Sequence, residues 1–103
     1  MLFDKNQITV AQSILELINR RRRQILVHSY LYYKMGTSLI EDHVFDKWCR
    51  ELVQLCTKYP KESRQAVFWS VFQNWNGFSG YDLFTGNQDV ELWAERKAKQ
   101  LTL

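Results

Sequence analysis

The stretch Asp42-His-Val-Phe-Asp-Lys-Trp-Cys-Arg-Glu-Leu-Val-Gln-Leu-Cys-Thr-Lys-Tyr-Pro60 places Val44, Phe45, Trp48, Cys49, Leu52, Val53 and Cys56 at three- and four-residue spacing. That rhythm lays one apolar stripe along a helix, whereas a half-buried strand would alternate residue by residue. Asp42 is a good N-cap type, and Tyr59 precedes Pro60, a position that avoids the helical region. The pattern predicts a helix over about 43–58. Toward the N-terminus the same rhythm continues through Ile14, Leu17, Ile18, Ile25 and Leu26, with Tyr30 and Tyr33 following. Thr9-x-x-Gln12 fits a capping box and Gly36 a C-terminal stop, so a first helix is expected over about 9–35. Two helices joined only by residues 37–41 should pack antiparallel.

Beyond Pro60, Ser63 or a neighbour is expected to open a third helix, about 63–76, carrying Val67, Phe68, Val71 and Phe72 and stopped by Gly77. Asn87 would cap a last one, about 88–101, with Val90, Trp93 and Leu101 inward and Glu91, Glu95, Arg96, Lys97 and Lys99 outward. Between them residues 77–86 mix glycine with aromatic side chains, the composition of a packed surface loop. The expected fold is all-α. Residues 1–103 are expected to form a single helical domain, made of a hairpin over 9–60 and a C-terminal helical extension over 61–103.

The composition agrees. In 103 residues, 46% are hydrophobic, 15% aromatic and 24% charged, the balance of one small soluble domain. Four Gly and one Pro are too few for the turns of a β-sandwich. The first residues carry Asp4 and Lys5 in place of an apolar signal core, and no stretch approaches the roughly 18 apolar residues of a membrane span. A cytoplasmic protein with no membrane contact is expected.

The net charge of +3 is unevenly placed, its excess lying in the first sixty residues, with no acid between Glu16 and Glu41. Arg20, Arg21, Arg22 and Arg23 follow one another there, and at about 100° per residue they sweep most of a helix circumference. Either one guanidinium lies against the core with its head paired, or that turn stands clear of the domain. Both arrangements suggest contact with an anion or a partner surface, while arginines paired to surface acids are the plain structural alternative. For nucleic acid, one four-arginine turn is a thin footprint.

Catalytic chemistry has few carriers. His28 and His43 fall on different expected helices, and no Walker loop, Gly-x-Ser-x-Gly, Gly-x-Gly-x-x-Gly or His-Glu-x-x-His string occurs. Cys49 and Cys56 are seven residues apart, about 10 Å along a helix, too far to share a zinc ion or a disulfide. Both read as reduced packing residues, and no metal site is expected.

One longer pattern remains. Residues 25–60 carry Ile-Leu-Val-His28-Ser-Tyr30-Leu-Tyr32-Tyr33, Asp42 nine residues after Tyr33, Phe45-Asp46 three residues beyond, then Arg50-Glu51-Leu52 and Tyr59-Pro60. This resembles the small N-terminal helical domain, Ia, of bacterial NAD-dependent DNA ligases, without a gap. In that family the domain grips the nicotinamide mononucleotide half of NAD, so the resemblance implies a ligand site of Tyr32, Tyr33, Asp42, Phe45 and Asp46, with NAD or nicotinamide mononucleotide as ligand. Phe45 stands where the family usually has tyrosine. The Lys-x-Asp-Gly adenylation string is absent, and residues from Lys61 onward do not look like ligase. Over its whole length the chain is similar to small proteins of unassigned function from phages and prophages of Gram-positive bacteria.

Each ligand candidate also has a structural reading. The tyrosines sit at helical spacing and suit a core stripe, Asp42 is an N-cap, and Asp46 lies four residues before Arg50, within ion-pair reach. The expected function is that of a non-catalytic phage accessory protein whose hairpin binds a nicotinamide nucleotide. The alternative is a protein-binding module, such as an inhibitor of a host defence nuclease or NAD-consuming effector, contacting a host or phage protein through Trp75, Phe78, Tyr81 and Phe84. Nucleic-acid binding through Arg20–Arg23 comes third.

Overall fold

The computed structural model describes residues 10–103, and Thr9 of the expected capping box lies outside them. All the regular structure described is helical: α1 Val10–Lys34, α2 Asp42–Lys58, α3 Pro60–Gln65, α4 Trp69–Phe72, a 3-10 turn Tyr81–Phe84 and α5 Gln88–Leu101. No described helix is long and apolar enough to cross a membrane.

Helices α1 and α2 form the antiparallel hairpin. Arg22 reaches Cys56, while His28, farther along α1, packs on Trp48, earlier in α2. Gly36, at φ +64°, turns the chain out of α1, and across it the Thr37 N–H donates to the Leu31 carbonyl at 3.0 Å. The left-handed conformation there suits glycine, which has no Cβ to crowd the following carbonyl. Ile18, Ile25 and Leu26 of α1 meet Cys49 and Leu52 of α2, Phe72 of α4, and Leu83 and Phe84 of the 3-10 turn in one core. Burial pushes the Cys49 thiol up to about 12. Both cysteines are free.

The third helix expected over 63–76 is broken in two. Pro60 occupies the first turn of α3, where its missing N–H costs nothing, so the residue read as a stop is also a start. Ala66 is extended and Phe68 adopts φ +60° before α4 begins at Trp69. The reason lies in α1. The Arg22 guanidinium donates to the carbonyls of Ser63 and Val67, both at 3.0 Å, and Asn19 Oδ1 accepts the Val67 N–H at 2.8 Å. Side chains of α1 thus satisfy the backbone groups that a continuous helix would have paired internally. Left-handed backbone at Phe68 costs on the order of 1–3 kcal/mol, and its ring packs on Trp93 with centroids 5.0 Å apart.

Helix α5 corrects one further expectation. Its fully buried residues are Ala94 and Ala98, four apart, whose small side chains bring α5 close against α1. Val90 and Trp93 are half-buried, and Leu101, expected inward, is exposed at the helix end.

Candidate functional site

Where the hairpin turns over, the last turns of α1, the 37–41 link, the first turns of α2 and the loop after α4 enclose a cleft of about 210 Å³. Tyr32, Tyr33, Asp42, Phe45 and Asp46 all line it. Residues fourteen positions apart along the chain are joined there because α1 ends and α2 begins on the same side of the link.

The tyrosine stripe divides. Tyr30 turns inward, edge-on to Phe84 at 5.9 Å, and burial raises its phenol pKa above the ordinary value. Tyr32 and Tyr33 stay exposed, edge-to-face with centroids 4.8 Å apart. Tyr33 is also edge-on to Tyr81 at 5.4 Å, and its hydroxyl shares a 3.0 Å hydrogen bond with Ser79 Oγ. These contacts hold the ring upright at the cleft wall.

The two carboxylates lack the structural duties the sequence suggested. Asp42 is not the N-cap: Glu41 holds that position in extended conformation, its carbonyl accepting the Val44 and Phe45 N–H groups, and its carboxylate lies 3.2 Å from His43 Nδ1. Asp42 therefore stands free on the first turn of α2, where the helix dipole favours negative charge. Asp46 forms no ion pair with Arg50. Among the described residues the lysine and arginine ion pairs are Arg21–Glu51, Lys34–Glu91 and Lys99–Glu95. Two uncommitted carboxylates and aromatic faces, with no lysine or arginine in the lining, make the cleft a site for a flat cationic or hydroxyl-bearing group.

His28 and Ser29 also line the cleft, and the sequence alone did not single them out as binding residues. His28 lies one helical turn before Tyr32, and that i,i+4 relation is the signal that placed it on the same face. His28 Nδ1 and Ser29 Oγ are buried without a hydrogen-bond partner. Burial lowers the His28 pKa below 6.5, so the ring is neutral at neutral pH. In the unfolded chain it protonates first. Stability therefore declines as pH falls from 6.5 toward the depressed folded value, and below that the penalty is complete. Melting temperature followed from pH 7.5 to 5 should drop more steeply for the wild type than for His28→Gln, and parallel curves would contradict this assignment.

The arginine run does not act as one anion site. Arg22 is 0% exposed, its NH1 on the Ser63 and Val67 carbonyls, its NH2 on Ser63 Oγ at 2.8 Å and Cys56 Sγ at 3.4 Å. Arg21 donates to Glu51 at 2.8 Å and Gln24 at 2.7 Å. Arg20 and Arg23 alone of the four are exposed, three residues apart on one face of the helix, so the surface keeps two of the four cations. The aromatic loop is likewise split. Phe84 is core at 5% exposure and Trp75 is half-buried, so only Phe78 (84%) and Tyr81 (66%) are offered to solvent. Among the described residues no cluster of histidine, cysteine and carboxylates is arranged to hold a metal.

Comparison with known proteins identifies a family for the hairpin. The family model of the DNA ligase-like, N-terminal NAD+-binding domain matches residues 11–65. The DNA ligase of Coxiella burnetii (strain RSA 493 / Nine Mile phase I) is 38% identical over 56 residues, 54% of this chain and 8% of the ligase. The DNA ligase of Thermotoga petrophila is 33% identical over 52 residues, 50% of this chain and 8% of the ligase. The same figures hold for that of Pseudothermotoga lettingae. The chain thus spans 8% of the length of these ligases. No solved structure gives a significant match.

Proposed function

This chain belongs to the family of DNA ligase-like, N-terminal NAD+-binding domains, and from that premise we propose that its cleft binds the nicotinamide half of NAD or nicotinamide mononucleotide without catalysing a reaction on it. The observation that carries the proposal is the convergence of Tyr32, Tyr33, Asp42, Phe45 and Asp46 on one cleft, with both carboxylates free of internal partners. Ribose hydroxyls donate to carboxylates, and the aromatic rings offer faces to a flat heterocycle. The oxidised nicotinamide ring is a pyridinium cation, which both the carboxylates and the aromatic faces favour. Phe45 supplies a ring but no hydroxyl. The reading is of binding alone because these 103 residues carry no Lys-x-Asp-Gly string whose lysine could form an adenylate.

Calorimetric titration tests this. The wild type should bind NAD+ and nicotinamide mononucleotide saturably, with affinity on the order of micromolar, and reduced NAD more weakly. Tyr33→Ala and Asp46→Ala should each weaken binding by roughly tenfold or more. Absence of heat with either ligand at millimolar concentration would leave the hairpin a scaffold.

A second reading draws on the exposure of Phe78 and Tyr81: the loop contacts a host or phage protein. Stoichiometric capture of one partner, abolished by Phe78→Ala with Tyr81→Ala, would favour it over the nucleotide reading.

A further inference from the structure

Phe78 lies outside the residues 11–65 that the family model matches, yet it lines the cleft. It is also the most exposed aromatic side chain among the described residues, on a loop fixed on both sides. On one side the Phe78 N–H donates to Asn76 Oδ1 at 2.9 Å, and Gly77 turns at φ +84° against Val53. On the other, the Ser79 carbonyl accepts Trp75 Nε1 at 2.6 Å. Ser79 Oγ is tied to the Tyr33 hydroxyl and to the Tyr81 N–H, and Gly80 is buried against Ser29. A backbone so anchored holds the Phe78 ring at the cleft while giving it almost no protein surface to cover.

We propose that Phe78 is the outer wall of the cleft and stacks on the nicotinamide ring, so that the segment beyond residue 65 completes the site from within this chain. The inference rests on the nucleotide-binding reading above and adds a residue that the family match does not reach. Phe78 lines the same cleft as Tyr32, Tyr33 and Phe45, so the lining carries aromatic surface from both the hairpin and the loop for a flat ring to stack on. Because the side chain is exposed and makes no core contact, its removal spares the fold.

The test is calorimetric titration of nicotinamide mononucleotide into the wild type, Phe78→Ala, Phe78→Leu and Phe78→Trp, with thermal melting of each as the folding control. Phe78→Ala should melt like the wild type and bind roughly tenfold more weakly. Phe78→Leu, apolar but not aromatic, should recover only part of the loss. Phe78→Trp should retain wild-type affinity, and its fluorescence should be quenched as ligand saturates. Wild-type affinity in Phe78→Ala would overturn the wall while leaving the binding site in place. Equal recovery by leucine would overturn stacking, and a wild type that binds nothing would overturn wall and site together.

Discussion

Arg22→Ala is expected to lose about 3–5 kcal/mol of folding stability, a large share of the total that holds a domain of this size. Its guanidinium is fully buried and has no carboxylate partner. The charge is held instead by two carbonyls, a serine hydroxyl and a thiol, with the Phe72 ring 5.5 Å from the guanidinium carbon. Truncation removes those donors and opens a cavity at the junction of α1, α2 and α3, while Ser63 stays buried with its carbonyl short of a partner. Arg22→Lys should recover part of the loss, because an ammonium is a point donor that cannot span the same fork of acceptors. Urea unfolding followed by helical circular dichroism measures this. A loss under about 1 kcal/mol for Arg22→Ala would mean that the α3–α4 break is held by something else.

The second large effect is expected at Gly80. A Cβ there would stand 1.8 Å from Ser29 Oγ and 2.6 Å from Ser29 Cβ, distances no pair of carbons and oxygens sustains. Its backbone, at φ −86°, suits alanine, so the conflict is contact and not conformation. Gly80→Ala must push the loop away from α1, at a cost of about 1–3 kcal/mol, and displace the Ser79 anchor beside it. Combining it with Ser29→Ala removes the nearer clash and should return part of the stability, a coupling that a double-mutant cycle reads directly. Additive losses would place the loop farther from α1 than described.

The hairpin was legible because its apolar spacing and its Gly36 stop are local signals, and both match the helices found over Val10–Lys34 and Asp42–Lys58. The α3–α4 break was hidden because its cause is remote: Arg22 and Asn19 lie more than forty residues before the backbone groups they satisfy. From sequence, Arg20–Arg23 offered four equivalent cations, and only packing distinguishes the buried Arg22 from the exposed Arg20 and Arg23. The five ligand candidates came from a resemblance and not from periodicity, which alone favoured a core stripe. Phe78 was legible as an exposed aromatic but not as part of the cleft, since its place there depends on Ser79 meeting Tyr33 across the fold.

The proposed site would use both the hairpin and the loop. The hairpin brings two carboxylates and an aromatic pair to one cleft, and the extension folds back to brace Tyr33 and to add Phe78 to the lining. Tyr33 is the hinge of the arrangement, since it touches Tyr32, Ser79 and Tyr81 at once.

The most direct measurement is a two-dimensional amide spectrum of the isotopically labelled chain titrated with nicotinamide mononucleotide. The proposed site predicts saturable shifts concentrated at 28–46 and 76–81, with α5 and the buried middle of α1 near Arg22 unmoved. A spectrum unchanged at millimolar ligand, or shifts centred on Arg23 and Lys97 away from the cleft, would contradict it.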